Sequence, residues 1–331
     1  MNDKKAVDVV YVDLQKAFDK VPHNKLLFKL KEIGIKGKLL NWVGNWLSNR
    51  THKVKYRGAV SDTVKVKSGV PQGSVLGPIL FLIYINDIEE KIICDTFKFA
   101  DDTKLVGCVD DINSLQHDIN ALSEWCKIWQ MPINVEKCHV MHIGIDNPKH
   151  KYWLSDEMLK VCTEEEDLGV IFTNDLKLHT QCLTAAKKAN KILGMIYRTI
   201  KNRSKKIMLN LYKSLVRPQL DYCITVWRPH LKLDIKILER VQKRFTKSSQ
   251  GFKKMKYVQR LKLLNLTTFE TRCLRGDLLT CFKAFNNYES LDTNKLFVFN
   301  ERKSRENSFK LRKVFCRLDS SKYSFPCSLV G

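Results

Sequence analysis

Two aspartates side by side inside an apolar run, FKFADDTKLVG at residues 97–107, restrict the backbone more than anything else in this chain. Thr96, Phe97, Phe99 and Ala100 lead in, and Leu105 and Val106 lead out. Neither carboxylate tolerates burial without a partner. Two short strands with Asp101–Asp102 as the turn between them resolve the conflict, because a turn leaves the carboxylates to water and to nearby backbone N–H groups. A turn of this kind is common and needs no chemistry. The sharper reading is that two carboxylates at a hairpin tip hold a divalent cation. That requires a third carboxylate from elsewhere and a partner carrying phosphates.

The third carboxylate is sought at a strand end. AVDVVYVD, residues 6–13, is rich in β-branched residues and predicts a buried strand that stops at Asp13. Asp8 lies in the same strand near its start, and Asp19, past Phe18, is read as pointing elsewhere. If the strand and the hairpin are neighbours, Asp13, Asp101 and Asp102 converge on one sheet edge. Such a set suits two Mg²⁺ ions. One lowers the pKa of an attacking hydroxyl, and the other holds a triphosphate and stabilises the leaving group.

Between these points lie two helices, over 24–33 and 37–49, and a hairpin formed by His52–Arg57 and Thr63–Lys67 around GAVSD. SGVPQGSVLGP at 68–78 holds three glycines and two prolines, a loop whose backbone comes close to something. PILFLIYINDIEEK reads as a largely buried helix. Residues 113–130 read as a helix with Leu115, Ile119, Leu122, Trp125 and Trp129 inward, and CHVMHIG and LGVIF as strands. From about residue 177 the pattern turns helical and basic, with Lys and Arg between apolar stripes.

The net charge is +23 and it is uneven: residues 1–145 hold 20 Lys or Arg against 17 Asp or Glu, and residues 146–331 hold 38 against 18. A basic half of this size points to a polyanion, most simply nucleic acid held by its phosphates. A solvated basic surface is the plainer alternative. Eleven scattered cysteines, an odd number without a CxxC pair, argue for reduced thiols and against a disulfide framework or a zinc module. No apolar run reaches membrane-span length and the start carries no signal-peptide core, so an intracellular protein, nuclear or cytoplasmic, is expected, with no membrane partner.

Four stretches in order, VYVDLQKAFDKVPH (10–23), SGVPQGSVLGPILF (68–81), FADD (99–102) and PINVEKCHVMHIG (132–144), resemble the reverse transcriptases of non-LTR, LINE-type retrotransposons. DLGVIF (167–172) resembles the primer-grip strand, and the helices after 177, with LVRPQLDYCITVW, resemble the thumb and downstream region of jockey-like elements. The resemblance covers roughly residues 6–290. It implies an α+β fold: a polymerase palm, an antiparallel sheet with helices on one face, over 1–172, then an all-helical thumb-like region over 173–290 and an irregular tail over 291–331.

The resemblance also implies roles. Asp13 and Asp101 are the metal-binding carboxylates, Asp102 is the less directly engaged neighbour, and the Leu14 carbonyl touches a metal. Phe18 packs where a nucleotide 2′-OH would project and so favours deoxynucleotides. Gln72 and Gly73 contact template and nucleotide, and Lys137 neutralises or protonates the leaving pyrophosphate. Two Mg²⁺ ions, with Mn²⁺ as a substitute, an RNA template with a DNA primer, and a dNTP are the implied cofactors and partners. The family's finger region, which precedes the first catalytic strand, is expected to be missing, making the chain an N-terminally truncated one. A full-length element polymerase acting in trans is then a candidate partner. An inactive remnant that binds nucleic acid through its basic helices is the alternative, and a metal-dependent nuclease ranks last because SGVPQG and Phe18 have no role there.

Overall fold

Strand β1 (Val7–Val12) carries four valines and a tyrosine in six residues and lies in the middle of a five-stranded sheet. In the computed structural model, which describes residues 6–201, 204–248, 251–300, 311–313, 315–316 and 318–329, the chain forms two compact units, within 5–163 and within 164–331.

In the first unit β1 is followed by α1 (Ala17–Lys20), α2 (His23–Glu32) and α3 (Gly37–Leu47). Pro22 stands just before α2, where a missing N–H costs nothing. A ribbon follows, in which β2 (Thr51–His52) pairs with β5 (Val64–Lys65) and β3 (Lys55–Tyr56) with β4 (Ala59–Val60). Its turn is Arg57–Gly58, tighter than the GAVSD loop expected, because Gly58 takes φ +90°. Then come α4 (Leu76–Ile85), β6 (Asp95–Phe99), β7 (Asp102–Cys108), α5 (Ile112–Trp129), β8 (His139–Ile143), the hairpin β9 (Trp153–Leu154) and β10 (Glu157–Met158), and β11 (Lys160–Cys162).

The sheet runs β11-β8-β1-β7-β6. Four strands pair antiparallel as expected, but β11 joins β8 in parallel, so the sheet is mixed. Alternation in β1 sends Val10 and Val12 to one face and Tyr11 to the other. The first face takes the helices: Val10, Val12 and Leu105 are buried with Leu26, Leu30, Phe81, Tyr84, Leu115, Ile119 and Leu122. Gly107 makes this close, since a Cβ there would lie 3.0 Å from Leu115. Asp8 also points to the covered face and is fully buried; it accepts from Tyr152 Oη and Asn147 Nδ2 and shares a 2.7 Å hydrogen bond with His142 Nδ1.

The second unit opens on a hairpin, β12 (Glu164–Asp167) with β13 (Val170–Thr173). After it come α6 (His179–Thr199), α7 (Lys205–Leu211) with a π-helical turn over Tyr212–Val216, α8 (Pro218–Asp221), α9 (Ile224–Trp227), α10 (Lys232–Ser248), α11 (Tyr257–Leu264), α12 (Phe269–Phe285) and the short α13 (Thr293–Leu296), α14 (Asp319–Lys322) and α15 (Phe325–Leu329). Helices α6 and α10 run side by side in the same direction: His179 meets Asp234 at 2.5 Å, and Arg244 donates to Asn190 at 3.0 Å. Tyr212 stacks on Phe245 with ring centres 4.1 Å apart, and Trp227 is fully buried. Residues 301–310 of the expected tail fall outside the described residues. Among the described residues no helix is long and apolar enough to cross a membrane.

Candidate active site

Asp13 is the first residue past β1 and its backbone is held from both sides. Its N–H donates to Cys138 Sγ at 3.4 Å, and its carbonyl accepts from Asn134 N–H at 2.9 Å. Leu14 bridges Ile133, and Gln15 N–H donates to the Pro132 carbonyl at 2.8 Å. The Leu14–Ile133 bridge is closed through Asp13 C=O and Gln15 N–H, so the Leu14 carbonyl is not one of its acceptors. The segment PINVEKC is thus zipped along residues 13–15. That places Lys137 Nζ 3.6 Å from Asp13 Oδ2. Burial pushes the Cys138 thiol beneath Asp13 up to about 11, so it stays neutral.

The register of β1 with β7 brings the other two carboxylates to the same edge. Val12 pairs with Thr103, so the next step sets Asp13 opposite Asp102. By alternation both project from the face that Tyr11 and Lys104 share, away from the helix-covered face of Val10 and Leu105. The hairpin turn is one residue earlier than expected. Phe99 pairs with Asp102, so Asp102 begins β7 and the two-residue loop is Ala100–Asp101. Ala100 takes φ +54° there, a left-handed position that disfavours a Cβ. A paired Asp102 continues the ladder, which a second turn residue would have broken. Asp101 is half-buried and Asp102 exposed. Among the described residues, no three ligand atoms within 4.8 Å of one another include these carboxylates. Like charges at one edge repel, which keeps them spread.

The glycine-rich loop is fastened to residues 18–23. Val70 N–H donates to the Phe18 carbonyl and Gly69 N–H to the Val21 carbonyl, both at 2.8 Å. Gly69 sits at φ +90°, and a Cβ there would lie 2.7 Å from the Asp19 backbone. Its carbonyl is contacted by the His23 ring nitrogen at 2.9 Å and accepts from Arg50 Nη2 at 2.8 Å. Gln72 Nε2 donates to Asp19 Oδ1 at 2.9 Å, and Ser68 Oγ donates to the Asp19 carbonyl at 2.8 Å. Gly73 is exposed, with φ +78° and open space where a Cβ would go. Phe18 stacks on Phe81 of α4 with ring centres 4.4 Å apart and is half-buried.

Sequence reasoning passed over three residues that hold this region. Asp19 anchors both Ser68 and Gln72, Arg50 clamps Gly69, and Asp118 on α5 accepts from Ile93 and Cys94 ahead of β6. A buried acid in an amphipathic helix was the one available signal, at Asp118. Nothing local marks the other two.

The basic excess of the second unit is ordered on its helices. On α10 Lys232, Lys236, Arg240, Lys243, Arg244 and Lys247 are exposed and recur every three or four residues; on α6 Lys187, Lys188, Lys191 and Arg198 are exposed.

The family described as reverse transcriptase (RNA-dependent DNA polymerase) matches residues 1–197. The RNA-directed DNA polymerase from mobile element jockey of Drosophila melanogaster is 27% identical over 267 residues, which cover 73% of this chain and 29% of that protein. The probable RNA-directed DNA polymerase from transposon X-element of the same organism is 24% identical over 270 residues, 76% of this chain and 29% of that protein. The chain therefore spans under a third of the length of these relatives. Among solved structures, telomerase from Candida tropicalis in complex with a TWJ fragment of telomeric RNA superposes with a TM-score of 0.45 at 14% identity, over 82% of this chain and 42% of that one. With a family match over more than half its length, the chain belongs to the reverse transcriptases, among those of non-LTR retrotransposons.

Proposed function

We propose that the chain carries the nucleotidyl-transfer site of an RNA-directed DNA polymerase, extending a DNA primer on an RNA template with dNTPs. The observation that carries this reading is the β1–β7 register, which sets Asp13 opposite Asp102, next to the Ala100–Asp101 turn and on the face shared by Tyr11 and Lys104. Residues 1–172 then act as palm, 173–290 as thumb and 291–331 as a tail.

Reverse transcriptases use divalent metal ions, and the residues at this edge fit them. The donors are all oxygens, from Asp13, Asp101, Asp102 and the Leu14 carbonyl, the set a hard cation such as Mg²⁺ prefers and Mn²⁺ accepts. Two such ions would acidify the primer 3′-OH and neutralise the triphosphate. Asp13 and Asp101 would hold them, and Asp102, opposite Asp13, would add negative charge. Lys137 lies beside Asp13 in the free protein and would meet the departing pyrophosphate. Phe18, backed by Phe81, would meet a ribose 2′-OH and so favour deoxynucleotides. The loop of Gln72 and Gly73 presents a side-chain amide and an open backbone to the template and the nucleotide.

The test is Mg²⁺-dependent extension of a DNA primer on RNA, with Asp101→Ala beside the unchanged chain. Extension that vanishes in Asp101→Ala supports the reading. Extension that survives it removes Asp101 from the site.

A second reading is favoured by the exposed basic stripe of α10: a nucleic-acid binder whose palm is only a scaffold. It requires salt-sensitive duplex binding by both proteins with no extension by either, whether or not a full-length element polymerase is added in trans.

A further inference from the structure

The positive charge of the first unit is concentrated in one place. Residues 50–67 hold six Lys or Arg and a single Asp, whereas the rest of 1–145 holds 14 Lys or Arg against 16 Asp or Glu. These residues form the ribbon of β2 to β5, and every residue from 51 to 65 is exposed. A two-stranded ribbon without cover is marginal by itself. Its return strand has one extra residue: His52 pairs with Val64, while Val54 and Ser61 exchange hydrogen bonds of 2.9 Å.

The ribbon has two unlike faces. Lys53 and Lys55 alternate onto one face with Thr51, which pairs with Lys65, and with Val60, which pairs with Lys55. Val54 and Tyr56 alternate onto the other with His52, which pairs with Val64. Val54, Tyr56 and Val64 are each more than half exposed, at 64, 67 and 53%. Arg57 lies over the Tyr56 ring, 5.3 Å from its centre. The base of the ribbon is fixed, since Arg50 spans the Leu47 and Gly69 carbonyls and Val66 N–H donates to Arg50.

We propose that this ribbon binds single-stranded nucleic acid and leads the template toward the Gly69–Gly73 loop; the second half of the statement rests on the polymerase reading above, the first does not. A solvated basic hairpin would need only the lysine face. The exposed Val54, Val64 and Tyr56 on the opposite face suit a partner with its own flat apolar surface. Unpaired bases supply it and a duplex does not, because stacking hides its base faces. Lysines on one face meet the phosphates, and Tyr56 on the other stacks on bases.

The test is fluorescence anisotropy of a labelled single-stranded RNA of about 20 nucleotides, and of a blunt duplex, at several salt concentrations. The full chain is compared with the quadruple variant Lys53→Gln, Lys55→Gln, Lys65→Gln, Lys67→Gln and with Tyr56→Ala. Thermal melting serves as the folding control, since all five positions lie outside the core. The quadruple variant should bind single-stranded RNA at least about tenfold more weakly near 0.1 M salt, with a salt slope shallower by about 3. Tyr56→Ala should lose about tenfold on the single strand and little on the duplex. Unchanged single-strand binding in the quadruple variant overturns the proposal. Equal losses on single strand and duplex, with Tyr56→Ala silent, overturn it in favour of plain phosphate attraction. Asp101→Ala separates the two readings: it tests extension and leaves ribbon binding intact, so ribbon binding without any extension by the unchanged chain fails the polymerase reading alone.

Discussion

Asp118 accepts the backbone N–H of Cys94 at 2.7 Å and so ties α5 to the start of the strand that ends at the Asp101 turn. Its second oxygen accepts from Ile93 N–H at 3.0 Å. Burial opposes its charge, but the two backbone N–H bonds, with help from the Cys94 thiol and His117, outweigh that and hold the carboxyl below the usual range. The base of the hairpin is therefore set by a helix side chain as well as by the sheet.

Asp118→Ala should destabilise the chain by about 3 kcal/mol, because two N–H groups lose their acceptor. The folded-state pKa is depressed, so this stability is present above the unfolded value of about 4 and is lost as pH falls through the folded one. Denaturant titrations from neutral to acidic pH should show a steeper acid decline for the unchanged chain than for Asp118→Asn. Parallel curves would dismiss the carboxylate's role.

Lys29 is almost fully buried in a box of rings, its ammonium 4.9 Å from the centre of Tyr84, 4.7 Å from Trp125 and 3.8 Å from Trp129, and paired with Asp87. Burial drives its pKa down against the pull of Asp87. Removing it leaves Asp87 without its cation and the box without its centre. Lys29→Ala should cost about 3–5 kcal/mol by chemical denaturation, and Lys29→Met less, since it refills the volume. A change under about 1 kcal/mol would mean the box closes without the charge.

Two glycines of one loop should respond differently to alanine. Gly69→Ala meets the Asp19 backbone at 2.7 Å in a left-handed conformation, so the loop must leave residues 18–21. Gly73→Ala meets only open space and pays the left-handed strain alone, about 1 kcal/mol. Melting curves should separate them by several degrees, with Gly69→Ala the lower.

Lys137 is 68% exposed at its side chain, so its pairing with Asp13 adds little to stability. Lys137→Ala should shift the unfolding free energy by less than about 1 kcal/mol. Under the polymerase reading it should nonetheless slow primer extension by about tenfold or more, with the dNTP KM less affected. A mutant that extends at the normal rate would release Lys137 from that role.

Much of the fold was legible because local pattern and global placement agree. The β-branched run before Asp13 became the central strand, and the carboxylates that interrupt an apolar run became a hairpin tip. The parallel pairing of β11 was not legible, since three residues of KVC carry no mark of their partner. Nor was the turn at Ala100–Asp101: register with β1 keeps Asp102 in the ladder, and register is a property of two strands.

What the sequence determined by itself was which residues carry unusual demands: acids at strand ends, glycines in a loop, and lysines spaced along helices. These follow from burial and backbone sterics acting within a few residues. Tertiary structure alone decided which of them meet. Asp13 lies beside Lys137 because PINVEKC zips along residues 13–15, and Asp19 holds Gln72 because Gly69 lacks a Cβ. Those contacts span 124 and 53 residues of chain, and the hydrogen bonds and close packing that make them exist only once the segments are assembled.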